Sequence, residues 1–149
     1  MTTTEVVPHA VLFERDETAW LDVMSRIVAE GRYSELDAPN LSEYLADMAK
    51  RDRREVESRL VTLLTLLLKW EFQPDHRSRS WQGTIAEQRR ELRKLLDSGT
   101  LYNHAQSHLM DAFEDGRKQA SIETGLSRET FPTECEWNLD QLIADDDLG

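Results

Sequence analysis

"LLKWEFQPDHRSRSWQGTIAEQRREL", Leu67 to Leu92, is the stretch that decides the fold. It begins inside an apolar block, "LVTLLTLLL" (Leu60–Leu68), that leaves almost no polar face. A helix that is apolar nearly all round belongs in the centre of a protein. Pro74 has no amide hydrogen to donate and cannot continue that helix, so it ends there. Ser78 or Ser80 then offers a hydroxyl to the unpaired amides of a new helix reaching about Asp97. Trp81, Ile85, Leu92, Leu95 and Leu96 recur at the spacing of one face of it. The short connection predicts two antiparallel helices meeting at a corner. Arg77, Arg79, Arg89, Arg90 and Arg93 crowd that corner and helix, and Trp70 and Trp81 flank the proline. Ion pairs and aromatic packing would pin the corner; a site for an anion or a partner is the alternative.

Upstream, Met1 to roughly Glu14 shows no periodicity and reads as a loose arm. Asp16 can cap a helix running to Glu30, with Trp20, Val23, Met24, Ile27 and Val28 on one face and Gly31 as its stop. "GRYSELDAPN" is a turn segment, after which Asn40 and Glu43 have the spacing of a capping box. Leu41, Tyr44, Leu45 and Met48 make the next apolar stripe. Apolar residues then vanish from Ala49 to Glu55 apart from Ala49 itself. The helix either runs on to Phe72 or, the favoured reading, breaks near Lys50 and restarts at an Asp52 cap.

Downstream, Gly99 is expected to end the helix of Trp81. A further helix follows from about Thr100 to Thr124, stopped by Gly125. Its stripe is Ala105, Leu109, Ala112, Gly116 and Ala120, small residues that would let a neighbouring helix approach closely. Asn138, with Gln141 three residues on, caps a short last helix. No strand pattern, internal repeat or low-complexity linker interrupts the chain. The expectation is an all-α, single-domain bundle over residues 1–149, with about five helices and a short C-terminal one.

Composition agrees. The chain has 149 residues, 39% hydrophobic and 32% charged, with a mean hydropathy of −0.62. That balance suits amphipathic helices with solvated outer faces. The single cysteine, Cys135, rules out an intrachain disulfide and points to a reducing compartment. The nine-residue apolar block is far short of the about 20 residues a bilayer span needs. The chain therefore reads as a cytoplasmic protein with no membrane partner. The net charge of −11 is segregated. Residues 1–48 carry three basic against ten acidic side chains, residues 49–97 twelve against eight, and residues 98–149 three against eleven. A basic middle facing acidic flanks disfavours a nucleic-acid surface, which needs uncompensated positive charge.

The blocks "LLKWEFQP", "RSRSW", "TIAEQRREL", "ETGL" and "FPTECEW", with "GRYSELD" upstream, resemble a bacterial family catalogued only as domain of unknown function family 29. The resemblance spans nearly the whole chain. It implies a small helical domain with no assigned activity, so it carries over no catalytic or binding residue. The family usually has proline between the cysteine and the tryptophan, where this chain has Glu136.

Three constellations could carry chemistry, and one buried amide bears on structure alone. His76, Arg77, Ser78, Arg79 and Ser80 sit at a helix start, where free amides and a partial positive charge attract anions. Against this, the serines can simply cap and the arginines can pair with the acidic flanks. His104 and His108 lie four apart on a helix, so both could face one metal, with Asp111, Glu114 or Asp115 as third ligand. The "AQS" between them lacks the glutamate of a zinc protease, and ordinary surface histidines are the favoured reading. Cys135 is flanked by Glu134 and Glu136, which would raise its pKa, so it reads as a small buried hydrophobe. Gln88 falls on an apolar face and needs a partner, for which the Trp70–Pro74 backbone is the candidate. No glycine-rich phosphate loop, Cys/His cluster, di-iron motif or serine elbow is present.

The expected function is a non-enzymatic helical interaction domain with an unidentified protein partner and no cofactor. The runner-up is an anion-, nucleotide- or nucleic-acid-binding module built on His76–Trp81. No residue pattern specifies an oligomeric state.

Overall fold

The computed structural model describes residues 8–145. Among these residues the regular structure is all helical. It comprises α1 (His9–Arg15), α2 (Glu17–Ala29), α3 (Ala38–Phe72), α4 (Arg79–Leu95), α5 (Gly99–Thr124) and α6 (Leu139–Ile143). Short 3-10 turns lie at Tyr33–Glu35, Pro74–His76 and Arg128–Thr130. The chain clusters into two compact units, Met1–Lys50 and Arg51–Gly149, each with its own core.

In the first unit Trp20, Met24 and Ile27 of α2 are buried. The expected loose arm over residues 1–14 needs correction: residues 1–7 lie outside the described residues, but His9–Arg15 is helical. Leu12 and Phe13 pack on the α2 cluster, the Phe13 ring meeting Trp20 edge-on at 4.7 Å. Seven residues are too few to show a period by themselves, and the apolar pair only makes sense with Trp20 beneath it. Asp16 caps α2 through Ala19 N, and Gly31, at φ +73°, supplies the left-handed stop.

The Asn40–Glu43 capping box is also overturned. α3 begins at Ala38, and the Asp37 carbonyl accepts from Leu41 N at 2.9 Å. Asn40 turns its side chain back, its Nδ2 donating to Asp37 Oδ2 at 2.8 Å, beside Trp20 Nε1 at 3.1 Å. Asp37 wins because its carboxylate gathers two side-chain donors where Asn40 would gather one amide. Burial pushes the Asp37 carboxyl up, but the Asn40 and Trp20 hydrogen bonds together outweigh it and hold it below its ordinary value.

The break expected near Lys50, with Asp52 as a new cap, does not occur: α3 is one helix of 35 residues. The stretch Ala49–Glu55 has no glycine or proline and consists of good helix formers around one aspartate, so losing its apolar face leaves it solvated rather than broken.

The second unit is built on the apolar part of α3. Val56, Leu60, Leu63, Leu64 and Leu68 are completely buried. Arg59 Nη1 donates to Gln88 Oε1 at 3.2 Å near one end, and Lys69 lies over the Trp81 ring at the other, so α3 and α4 run antiparallel. Glu57 faces His104 and His108, while Lys69 pairs with Glu123 at 3.3 Å, so α3 and α5 run parallel. Between these points the small-residue stripe does what its spacing predicts. Ala105, Ala112, Gly116 and Ala120 are buried, and a Cβ added at Gly116 would lie 3.0 Å from Leu64 Cβ.

Ser78 caps α4 through Trp81 N, and Ser98 caps α5 through Leu101 N. Gly99 is not the stop of α4 but the first residue of α5, because the Ser98 cap takes over immediately after the turn. Gly125, at φ +75°, ends α5 as expected. α6 carries the full reciprocal box between Asn138 and Gln141, intact despite Glu136 in place of proline. Its Leu139 and Leu142 are buried in the same core as Phe131.

Candidate functional site

The arginine corner is assembled from helix ends. Arg77 Nε donates to the Trp70 carbonyl in the last turn of α3 at 2.8 Å, and its guanidinium lies over the Trp70 ring at 4.8 Å. A cation is favoured there because the last carbonyls of a helix carry partial negative charge. Trp81 receives the other cation, Lys69 Nζ, at 4.7 Å from its ring centre. Farther along α4, Arg89 Nε donates to Leu142 O at 3.0 Å and Arg93 Nη1 to Ile143 O at 2.7 Å. These two arginines satisfy the free carbonyls at the end of α6. Arg90 makes only a long surface contact, 3.7 Å to Glu91. Three of the five arginines that looked like a basic patch are thus bonded to helix-terminal carbonyls.

All five residues from His76 to Ser80 are exposed. Ser78 Oγ is engaged as the α4 cap, and the Ser80 carbonyl accepts from Thr84 Oγ1. Beside the corner lies a cavity of 340 Å³ lined by Leu67, Trp70, Glu71, Arg77, Arg89, Glu136 and Trp137. An anion entering it would meet two carboxylates. Burial pushes the Glu71 carboxyl up, Glu136 pushes it further, and Arg77 only partly compensates. Gln88, expected at the Trp70–Pro74 backbone, instead accepts from Arg59. Antiparallel packing brings Arg59 alongside Gln88 and leaves the corner carbonyl to Arg77.

Cys135 is half-buried, and its thiol donates to Trp137 O at 3.2 Å. Burial pushes that thiol up, and the neighbouring Glu136 carboxylate adds to it. It is the wrong setting for a thiolate nucleophile.

His104 and His108 do come together, with ring centres 4.0 Å apart and planes inclined by 31°. The third residue is not one of the acids on α5. It is Glu57 of α3, whose Oε1 lies 3.6 Å from His104 Nε2 and 3.4 Å from His108 Nε2. One donor atom from each of the three lies within 4.8 Å of the others. His108 Nδ1 is 2.9 Å from the His104 carbonyl and 3.1 Å from Ser107 Oγ. His104 Nε2 is buried with no hydrogen-bond partner. Asp111 and Asp115 line a cavity of 370 Å³ together with Glu57, Ser58, Val61, His108 and Ala112. Glu114, the other acid considered as third ligand, faces Arg117 at 3.5 Å. The histidine spacing gave two of the three residues of this cluster. Glu57 required knowing that α3 lies parallel to α5.

A concave surface of 600 Å³ runs along α3, α4 and α5 and is lined by Ser58, Val61, Thr62, Thr65, Leu66, Thr84, Gln119 and Glu123. No helix among the described residues is long and apolar enough to cross a membrane.

Fold and site together define an all-helical protein with a cation-clamped corner and a two-histidine, one-glutamate cluster. The chain belongs to the family described as domain of unknown function DUF29, whose sequence pattern matches residues 12–148. No curated protein and no solved structure matches it.

Proposed function

We propose that this chain is a non-enzymatic helical interaction domain whose partner is a protein. The observation that supports this reading best is the 600 Å³ groove between α3, α4 and α5. Its walls are aliphatic and hydroxyl-bearing, from Val61, Leu66, Thr62, Thr65 and Thr84, and its one carboxylate, Glu123, is paired with Lys69. Such a lining suits the apolar face of a helix or an extended peptide, with hydroxyls to fix its register. The nucleophile, base and oxyanion donors that catalysis requires do not converge there.

The test is site-specific photo-crosslinking in the native cell. A crosslinker at Thr62 should trap one protein, the adduct should disappear when Thr84→Arg fills the groove, and a crosslinker at exposed Asn103 should not trap it. The same adducts from both positions would sink the proposal. Arg79 and His76, exposed at the start of α4, favour the anion-binding alternative. A salt titration of phosphate, nucleotide or RNA binding tests it, and saturable binding lost in Arg79→Ala would promote it.

A further inference from the structure

We infer that Glu57, His104 and His108 form a binding site for a divalent transition-metal ion of the zinc class. The first argument is spacing. Zinc bound at about 2.0–2.2 Å in a tetrahedron holds neighbouring donor atoms about 3.3–3.6 Å apart. Glu57 Oε1 stands 3.4 Å from one Nε2 and 3.6 Å from the other. These separations are too long for hydrogen bonds, which end near 3.2 Å for N–H to O. They are close to the edge lengths of a coordination shell.

The second argument is protonation. The His104 carbonyl can only accept, so His108 Nδ1, 2.9 Å away, carries the proton. That fixes the tautomer in which Nε2 offers its lone pair toward Glu57. An outer-shell carbonyl on the far nitrogen is the usual way a ligating histidine is oriented. His104 Nε2 is buried and has no hydrogen-bond partner, although it points at the same carboxylate oxygen. A metal ion would satisfy that nitrogen.

The third argument is the scaffold. Both histidines project from one face of α5, and Glu57 comes from a helix that α5 approaches closely at Gly116. Donors on packed helices are held far more rigidly than donors on loops. Asp111 and Asp115 line the cavity beside Glu57 and His108, adding negative potential for a dication on a side open to water. Two imidazoles with one carboxylate select zinc, cobalt, nickel or ferrous iron over calcium and magnesium, which prefer oxygen donors.

The test uses the full chain stripped with chelator, titrated with Zn²⁺ against a chromophoric competitor and with Co²⁺ for its absorption spectrum. We expect one ion per chain, a raised thermal midpoint with Zn²⁺ but not with Mg²⁺, and the intense visible bands of four-coordinate Co²⁺. Glu57→Gln and His108→Ala should each weaken zinc binding by more than the about 10–100-fold that losing an outer-shell partner costs. The Co²⁺ spectrum of the unmodified chain carries the test if a variant fails to fold. No stoichiometric zinc binding at micromolar concentration, a six-coordinate Co²⁺ spectrum, or unchanged affinity in both variants would each overturn the site.

Discussion

Gly116 and Gly83 make a matched pair, because the same substitution should act in opposite directions at the two positions. Each is a glycine in a helix interior, and replacing such a glycine by alanine ordinarily stabilises by about 0.5–1 kcal/mol. At Gly83 in α4 an added Cβ meets nothing within 4 Å, so Gly83→Ala should deliver that gain in full. At Gly116 the added Cβ would lie 3.0 Å from Leu64 Cβ, 3.3 Å from Thr65 N and 3.4 Å from Val61 O. Two of these are backbone atoms of the most buried helix and cannot rotate away. Overpacking of this kind costs about 1–3 kcal/mol. Setting the propensity gain against it leaves Gly116→Ala between neutral and about 2 kcal/mol less stable. Gly116→Leu, whose branched side chain has no volume to enter, should lose still more. Urea denaturation followed by far-UV circular dichroism would read both variants against the unmodified chain. If Gly116→Ala stabilises as much as Gly83→Ala, the close approach of α3 and α5 is wrong, and with it the register that places Glu57 beside the histidines.

Arg77→Ala should cost about 1 kcal/mol, the scale of a solvent-exposed charge-assisted bond, while Arg79→Ala should stay within about 0.5 kcal/mol in the same assay. Equal losses would undo the distinction between corner clamp and exposed arginine. Glu71→Gln should raise stability at neutral pH. A carboxyl raised above its ordinary value stabilises the fold only while it holds its proton, so the unmodified chain loses this contribution as pH rises through the raised value, and the variant should lose that dependence. A variant no more stable than the parent at neutral pH would contradict it. Asp37 carries the opposite sign: its carboxyl is held low, so its contribution is present above the ordinary carboxylate value and fades as pH falls through the folded one. Asp37→Asn should weaken the first unit at neutral pH, read by Trp20 emission in a chain whose other tryptophans are phenylalanine, and should flatten the acid limb.

Local chemistry was legible in the sequence, and pairing across helices was not. Asp16, Ser78, Asn138 and Gly125 announce helix ends because a cap or a left-handed glycine acts within a few residues. Arg77 also acts locally, since the carbonyl it reaches is seven residues away. The misread break at Lys50 came from taking lost burial for lost helix. The rival caps Asp37 and Asn40 are separated by Trp20, a partner 17 residues upstream of Asp37 that no local pattern includes. The candidate metal centre divided along the same line. His104 and His108 share one helix and could be seen together, whereas Glu57 meets them only through the parallel packing of α3 and α5.

The solvated stretch of α3 has a consequence for how its amides trade hydrogen with water. Residues 49–55 keep their helical hydrogen bonds, yet Ala49–Asp52 and Arg54 are exposed and Arg53 and Glu55 only half-buried. Opening a turn there uncovers almost no apolar surface, whereas opening one at Leu60–Leu68 dismantles the core. Protection along α3 should therefore dip in the interior and recover toward Phe72, the reverse of a helix that frays from its tips. The amides near Arg51 would exchange orders of magnitude sooner than those near Leu64, within one unbroken helix.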